Sequence, residues 1–426
     1  GLFATVCEMA FAGRTGMYLN IDMLTIDPHA SDWGDFKIRP EQVQVQRSEL
    51  TRKALFNEEL GAVIQIRKKD LAAVMQVLRA AGLGAHSHVI GAPTATGRIE
   101  IYCDAKNIFS AKRSQLQQEW SKVSFSIQKQ RDNPTCAEAE FSRIADDADT
   151  GLFAKVPFDL NEDIAAPFIN TGIRPKIAIL REQGCNSQIE MAYAFHKAGF
   201  NSVDVHMSDL LAARVQLKDF QGLAAVGGFS YGDVLGAGEG WAKTILFHPA
   251  LAEEFAQFFQ RPDSFGLGVC NGCQMMANLK PLIPGAQAWP KFTRNKSEQY
   301  EARLVMARVE ESSSLFFKDM QDTLAPIVTA HGEGFADYSQ TGSLENSLVS
   351  LRFTDHTGQP TEQYPLNPNG APQGIAALTT VDGRFTIMMP HPERVFRTIQ
   401  HSWSPPGWGE DSPWMRIWRN ARRWVG

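Results

Sequence analysis

The sequence predicts an α/β protein whose main element is a mostly parallel sheet. Apolar runs of strand length recur between residues 175 and 389, and helix-like stretches separate several of them. Strands that alternate with helices usually form parallel sheets through right-handed crossovers. A second alternation of sheet-like and helical patterns lies between residues 61 and 103, which predicts a separate α/β lobe ahead of the main sheet.

The composition is that of an ordinary globular protein. Of the 426 residues, 43% are hydrophobic and 21% charged, and 42 Lys and Arg oppose 47 Asp and Glu, a formal net charge of −5. At roughly 100–200 residues per domain, about two to four domains are expected. Nucleic-acid binding needs clustered positive charge, and a membrane span needs roughly 18 apolar residues in a row. We therefore expect neither a nucleic acid nor a membrane as a partner.

Cysteine usage and the first residues set the expected context of the chain. The six cysteines are scattered through a long sequence, which favours a reducing, cytoplasmic location over a disulfide-linked secreted scaffold. The sequence begins at Gly1 without Met, and its apolar start lacks the basic segment of a secretory signal. We expect this sequence to be part of a longer polypeptide.

Residues 1–103 predict the end of an α/β lobe. Residues 62–66 read as a strand, residues 71–78 have helical spacing that ends before Gly82, and residues 98–102 alternate like a half-buried strand. Residues 104–173 are interpreted as a connecting layer, with a polar helix over 115–131. A solvated linker is the alternative for this segment.

The main sheet is predicted from residue 174 onward. A helix is expected to begin at the capping-box pattern of Ser187 and Glu190 and to end at Gly199. Residues 413–424 predict a C-terminal helix, whose arginines form either the solvated face of a packing helix or a basic patch. The strands are predicted at residues 175–180, 202–205, 223–226, 265–269 and 385–389.

Two chemically notable segments follow predicted strands. Gly227 and Gly228 follow the third strand of the main sheet, and Cys270 follows the fourth. Ligands of open parallel sheets bind at the carboxyl ends of the strands. The positions therefore predict that the glycine pair and Cys270 share one site.

Residues 268–272 have the form G-x-C-x-G between a strand and a helix, which is the thiol version of a nucleophile elbow. Glycines permit a sharp turn, and a helix N-terminus next to a thiol favours thiolate. Three alternatives remain at this point: a buried inert cysteine, a redox pair with Cys273, or half of a zinc site, although no second C-x-x-C completes such a site.

A base and a group that orients it are predicted near residue 391. His391 and Glu393 follow a buried strand, and in extended backbone residues two apart point to the same face. The carboxylate could then hold one imidazole nitrogen while the other faces Cys270. The N–H groups of Gly228 and Asn271 are candidate oxyanion donors, although a glycine pair by itself is also a generic turn.

Together these motifs resemble the triad (class I) glutamine amidotransferases. Residues 268–274 and 390–393 carry that resemblance, and residues 227–233 narrow it to the family of phosphoribosylformylglycinamidine synthases, in their large single-chain bacterial form. Further stretches that resemble this family are residues 181–184, 236–243, 331–334 and 408–414.

The resemblance implies a fold and a division into domains. Residues 174–426 would form a glutamine amidotransferase domain with a flavodoxin-like, mostly parallel sheet and helices on both faces. Residues 1–103 would be the C-terminal part of a synthetase region of the aminoimidazole-ribonucleotide-synthetase type, unrelated to ATP-grasp enzymes. Residues 104–173 would connect the two.

The resemblance also implies a ligase reaction of de novo purine biosynthesis. Glutamine would be hydrolysed through a Cys270 thioester, with His391 and Glu393 as the other triad members, Gly228 and Asn271 as oxyanion donors, and Gln274 contacting glutamine. The ammonia would pass to the rest of the synthetase polypeptide, which uses formylglycinamide ribonucleotide, ATP and magnesium. The resemblance places those sites outside this sequence, so we expect no cofactor or metal in this chain, and His331 and Glu333 remain candidates without an assigned role.

Overall fold

The computed structural model describes the backbone of residues 1–26 and 40–426, and the chain divides into two compact units. The first unit consists of the described residues of Gly1–Gln128 and Glu140–Ala148, and the second of Lys129–Ala139 and Asp149–Gly426. The segment 104–173 is thus shared between the two units. The predicted domain boundaries after residue 103 and before residue 174 stay a prediction.

The first unit contains a four-stranded sheet. Its strands are β1 (Gly16–Asn20), β2 (Gly91–Thr94), β3 (Arg98–Cys103) and β4 (Lys106–Lys112). They lie in the order β2–β1–β3–β4, and only the β1–β3 pair among these neighbours is parallel. The helices introduced with this unit are α1 (Leu2–Gly13), α2 (Pro40–Phe56) and α3 (Leu71–Ala80), while α4 (Arg113–Arg131) and α5 (Pro134–Ser142) each contain residues of both units.

Most local predictions for the first unit are confirmed. The helical spacing at residues 71–78 forms α3, and the alternation at 98–102 forms β3, in which every second residue is buried. The strand predicted at residues 62–66 is wrong, because this segment pairs with no strand in the described part of the chain. Ile64 is 60% exposed there. An apolar run of this length is typical of a strand, but a strand also needs a neighbour for its backbone hydrogen bonds.

The second unit is built around a nine-stranded sheet. Its strands are β5 (Lys176–Arg181), β6 (Asn201–His206), β7 (Gly222–Ala225), β8 (Phe265–Val269), β10 (Glu301–Val309), β11 (Leu324–His331), β13 (Leu348–Phe353), β14 (Ile375–Thr379) and β15 (Phe385–Met388), and β9 (Lys291–Thr293) pairs separately with β12 (Phe335–Asp337). Its helices are α6 (Ala166–Ile169), α7 (Gln188–Lys197), α8 (Met207–Leu211), α9 (Glu239–Leu246), α10 (Pro249–Gln260), α11 (Asn271–Asn278) and α12 (Arg416–Val425).

The strand order confirms the predicted fold class. The parallel strands lie in the order β6–β5–β7–β8–β15, which is the flavodoxin-like order 2-1-3-4-5. Strand β8 lies between β7 and β15, and all five of its residues are buried, as expected for a parallel strand covered on both faces. Beyond β15, the antiparallel strands β14, β13, β10 and β11 extend the sheet.

The C-terminal helix packs into the core of the second unit. Trp418 is fully buried on α12, and its indole ring lies 6.3 Å from the ring of Phe195, edge to face. The expected solvated arginine face is only partly correct. Arg422 is also fully buried, and its guanidinium donates to the carbonyl oxygens of Phe168 and Ile173, whereas Arg423 pairs with Asp319 near the surface.

Among the helices of the described residues, none is long and apolar enough to cross a membrane.

Two substitutions on α12 test how much its packing contributes. Trp418→Ala should lower the free energy of unfolding by about 3–5 kcal/mol, because it leaves a large cavity in the core. Arg423→Ala on the same helix should cost only about 0–1 kcal/mol, because it removes a surface ion pair. Urea unfolding of both variants measures this difference, and equal losses would show that α12 does not anchor the core.

Candidate active site

Cys270 lies in a strained turn between β8 and α11. Its backbone has φ 52° and ψ −108°. Residues other than glycine rarely adopt a positive φ of this kind. The turn depends on Gly272, because a Cβ there would lie 2.0 Å from the carbonyl oxygen of Ala225. The predicted elbow is therefore formed, with Cys270 directly at the N-terminus of a helix.

His391 and Glu393 form a buried pair beside β15. His391 Nδ1 lies 2.6 Å from Glu393 Oε1, and the two side chains are 1% and 0% exposed. The pair arises from a 3₁₀ turn at Pro392–Arg394, not from the extended backbone expected from the sequence. The other ring nitrogen, His391 Nε2, has no hydrogen-bond partner among the described residues.

The backbone of Gly227 lies between Cys270 and His391. A Cβ on Gly227 would be 2.7 Å from His391 Cε1 and 3.3 Å from Cys270 Cβ, so a side chain there would push into both. The Cys270 sulfur lies 3.6 Å from the carbonyl oxygen of Ala330 at the end of β11. The glycine turn and the cysteine thus share a site at the carboxyl ends of neighbouring strands.

The charges around His391 shift its protonation strongly. Burial lowers the pKa of His391, but the Glu393 carboxylate and the Cys270 thiolate raise it by more, to about 10. The imidazole is therefore protonated at neutral pH when the sulfur carries a negative charge. The protonated imidazole of His391 can donate a proton, and a change of charge on Cys270 would change the pKa of His391.

Two backbone N–H groups next to Cys270 are available as donors. Those of Gly228 and Asn271 donate to no acceptor within the described part of the chain. Gly228 has φ 144°, and a Cβ there would lie 2.4 Å from Cys185 Cα, so only glycine fits. Two N–H groups of this kind are what an oxyanion requires.

The side chain of Asn271 connects the elbow to the loop after β7. Its Oδ1 accepts from the N–H of Ser230 at 3.1 Å, and its Nδ2 donates to Asp233 Oδ1 at 3.1 Å. The same Nδ2 donates to Gln274 Oε1 at 3.2 Å, and Gln274 Nε2 donates to the carbonyl oxygen of Glu333 at 2.6 Å. Gln274 is therefore buried in the wall of the site, with both ends of its amide engaged.

Glu333 lies at the edge of this network, where its carboxylate accepts from the N–H of Ala237 at 3.0 Å. Burial raises the pKa of Asp233 to about 6, against an opposing hydrogen bond from Asn271, and the charge of Glu333 adds to the rise.

His331 lies on β11 and is buried. Its Nε2 accepts from Asn369 Nδ2 at 3.2 Å, and burial, with a smaller contribution from the charge of His391, lowers its pKa to about 3. His331 is thus a neutral histidine next to the site.

The sequence patterns missed two connections that support the loop after β7. Ser187 is the N-cap residue of α7, as predicted, but its side chain makes no capping hydrogen bond. Its Oγ accepts instead from the N–H of Gly227 at 2.8 Å, so the predicted capping box is wrong. Glu182 accepts from the hydroxyl of Tyr231 at 2.7 Å. Glu182 directly follows β5, so the strand-end argument that singled out Cys270 could have found it.

Two other thiols in the second unit, those of Cys273 and Cys185, show no sign of reactivity. Cys273 is fully buried, and burial together with the neighbouring Cys270 raises its pKa well above the ordinary range. Burial raises the pKa of the Cys185 thiol to about 12. Within the described residues, the one cluster with metal-ligand spacing is Asp22, Cys103 and Asp104 in the first unit, so the zinc reading of Cys270 and Cys273 gains no support.

Two solved structures from Thermotoga maritima resemble this chain. The structure of PurLQS is 22% identical, covers 58% of this chain and 97% of its own, and has a TM-score of 0.44. A glutamine amidotransferase is 15% identical, covers 52% of this chain and 77% of its own, and has a TM-score of 0.33. Both likenesses are distant, and the family assignment does not depend on them.

Two family models match this chain. Residues 1–104 match the C-terminal domain of AIR synthase related proteins. Residues 174–425, more than half of the chain, match the CobB/CobQ-like glutamine amidotransferase domain. The resemblance that the motifs indicated is thereby confirmed at the level of the family: the chain belongs to the CobB/CobQ-like glutamine amidotransferases, with an AIR-synthase-like domain ahead of the amidotransferase domain.

Proposed function

We propose that the second unit hydrolyses glutamine through a thioester on Cys270 and supplies ammonia to a phosphoribosylformylglycinamidine synthase reaction. The observation that carries the proposal is the buried His391 imidazole. It is held by Glu393 on one nitrogen, unpartnered on the other, and next to a cysteine in a strained elbow. Membership of the glutamine amidotransferase family supports glutamine as the substrate.

The first half of the reaction uses Cys270 as nucleophile and His391 as acid. The thiolate attacks the side-chain amide carbon of glutamine, and the N–H groups of Gly228 and Asn271 stabilise the oxyanion. As the C–N bond breaks, the His391 imidazolium gives its proton to the departing nitrogen and ammonia leaves. The raised pKa of His391 suits this step, because the acid is already protonated at neutral pH.

The second half requires His391 as a base. Once Cys270 is acylated it carries no charge, so one of the interactions that raise the pKa of His391 disappears. The imidazole then takes a proton from water, which attacks the thioester carbon. The C–S bond breaks and glutamate leaves, so that glutamine and water have become glutamate and ammonia. The charge on the nucleophile thus sets whether His391 donates or accepts a proton.

The wall formed by Gln274 and Asn271 is the proposed contact surface for bound glutamine. Both amides are already fixed by hydrogen bonds, so little side-chain freedom is lost when the substrate binds. Glu393 acts through His391, by holding the imidazole in one orientation.

The ligase half of the reaction is proposed from the first unit and from the motifs. The AIR-synthase-like match over residues 1–104 and the pattern of residues 227–233 support formylglycinamide ribonucleotide as the acceptor, with ATP consumed in de novo purine biosynthesis. The partners are then glutamine and the remainder of the synthetase. A cytoplasmic location accords with six free cysteines.

ATP and magnesium would belong to the synthetase reaction and supply its phosphoryl chemistry. The candidate ligand group at Asp22, Cys103 and Asp104 does not suit magnesium, which prefers oxygen ligands alone. In addition, Arg47 Nε donates to Asp104 Oδ2 at 2.6 Å. No step in this chain is therefore assigned to a metal.

A thiol–disulfide oxidoreductase that uses Cys270 and Cys273 is the alternative function, and the structure disfavours it. In such a pair the second cysteine resolves the mixed disulfide by attacking as a thiolate. Cys273 is fully buried with a raised pKa, so it cannot readily act as the resolving thiolate.

Replacement of Cys270 tests the proposed function in the full-length protein. Cys270→Ala should reduce glutamine hydrolysis about a thousandfold or more, because no thioester can form. Formation of the amidine product with free ammonia should persist. Glutamate release and product formation measure the two activities separately.

Cys273→Ser is the matched control for this experiment. It should leave glutamine hydrolysis largely intact, whereas a redox enzyme would lose its activity. Glutamine hydrolysis that survives in Cys270→Ala would contradict the proposed mechanism.

The pH behaviour of His391 provides a second test. Because the pKa of His391 in the folded protein, about 10, lies above the ordinary value of about 6.5, protonated His391 stabilises the fold. This contribution is fully present below about pH 6.5 and is lost as the pH rises through about 10. Replacing Cys270 with Ala or Glu393 with Gln should therefore lower the pKa of the His391 ring, which NMR titration measures.

The stability effect should follow the same window. The free energy of unfolding should be higher for the wild type than for Glu393→Gln. This difference should be largest below about pH 6.5 and should shrink toward pH 10. An unchanged His391 titration in Cys270→Ala would show that the sulfur does not control the imidazole.

A further inference from the structure

The loop that follows the proposed oxyanion donor has an unusual backbone. Three consecutive residues, Tyr231, Gly232 and Asp233, have φ values of 55°, 64° and 53°. Only the middle one is glycine, and side chains on L-residues disfavour this region. A run of this kind persists only where surrounding contacts fix it.

One of them is a buried carboxylate at the end of β5. Glu182 is 4% exposed, and its Oε2 accepts from the Tyr231 hydroxyl at 2.7 Å. Its Oε1 accepts from the N–H of Gln183 at 2.8 Å and lies 3.5 Å from His206 Nε2. No lysine or arginine of the described residues forms an ion pair with Glu182. A buried carboxylate is costly without such a partner, so its hydrogen bonds must be strong ones.

The backbone on both sides of Gly228 forms hydrogen bonds with the same turn after β5. The N–H of Tyr231 donates to the carbonyl oxygen of Gln183 at 3.0 Å, and that of Phe229 donates to Gly184 at 2.9 Å. On the other side, the N–H of Asn186 donates to Gly227 at 3.0 Å. Gly228 lies between these bonds, so its orientation depends on where the turn holds Tyr231.

We propose that Glu182, acting through Tyr231, is a positioning residue that keeps the N–H of Gly228 directed at the oxyanion formed on the glutamine carbon. This inference rests on the proposed function. An oxyanion donor stabilises the transition state more than the bound substrate, so its misalignment lowers kcat and leaves KM nearly unchanged. A residue with a merely structural role would not produce this separation.

The test compares substitutions at both ends of the contact in the full-length protein. Tyr231→Phe removes only the hydroxyl and should lower kcat for glutamine hydrolysis about 10–100-fold, with KM for glutamine within about twofold. Glu182→Leu should cause the same loss. Glu182→Gln keeps an acceptor oxygen and should recover most of the activity.

The rate at which iodoacetamide alkylates Cys270 distinguishes a misaligned oxyanion donor from a general distortion of the site. This reaction displaces iodide from a tetrahedral carbon and forms no oxyanion, so its rate should be the same in wild type and Tyr231→Phe. Cys270→Ala identifies the signal from Cys270. Thr244→Val is the matched control, because Thr244 Oγ1 also lies 3.3 Å from the Tyr231 hydroxyl but carries no buried charge, and kcat should change less than about twofold.

The outcomes distinguish the two proposals. A wild-type protein that hydrolyses no glutamine overturns the proposed function. An active wild type with unchanged kcat in Tyr231→Phe overturns only the positioning role, as does an equal loss in alkylation rate or a rise in KM that accounts for the whole effect. If Tyr231→Phe does not fold, Glu182→Gln and Glu182→Leu decide the matter, and equal activity in those two variants overturns the inference.

Discussion

The left-handed backbone at Cys270 is the constraint on which the arrangement of the site depends. β8 is buried along its whole length, and α11 begins one residue after the cysteine, so the chain must reverse within that residue. The reversal brings Gly272 close to β7. Glycine is needed at this position, because a Cβ there would collide with the carbonyl oxygen of Ala225. The strain at Cys270 is offset by the packing of the two elements that it joins.

Residues at the ends of three other strands lie near the Cys270 elbow. Gly227 follows β7, His391 follows β15, and Ala330 lies near the end of β11. Parallel strands end at one edge of a sheet, which explains why β7, β8 and β15 can contribute to one site. The contribution of β11 has a different origin, because this strand lies at the outer edge of the antiparallel extension. A hydrogen bond connects it to the site: the N–H of His391 donates to the carbonyl oxygen of Val328 at 2.8 Å.

Electrostatics then determines what the site can do. The Glu393 carboxylate and a charged Cys270 sulfur raise the pKa of His391, whereas burial lowers the pKa of His331, to which the described residues offer no such negative charge. The contrast shows that burial by itself does not set the charge of a histidine. What matters is whether a fixed negative charge outweighs the cost of desolvation. Each of the two has one ring nitrogen held by a hydrogen bond and one without a partner among the described residues, but the charge of Cys270 acts on His391.

The sequence alone was sufficient for the parallel strands and the elbow, because these depend on periodicity and on glycine placement. It also predicted that His391 and Glu393 pair, but not the 3₁₀ turn that brings them together. It was insufficient wherever a residue had to choose a distant partner. Ser187 fits a capping pattern, yet its hydroxyl accepts a hydrogen bond from Gly227. Residues 62–66 have the composition of a strand, yet they pair with no strand in the described part of the chain, and Glu182 bonds to Tyr231, 49 positions away.

The same limit separates what the sequence determined from what the tertiary structure decided. Local spacing was enough to single out the candidate residues of the site, because turns and strand ends are encoded within a few positions. The charge state of His391, the two unpaired N–H groups and the support beneath Gly228 were decided only by the fold. These properties depend on desolvation and on contacts between segments far apart in the chain, and no local pattern records them.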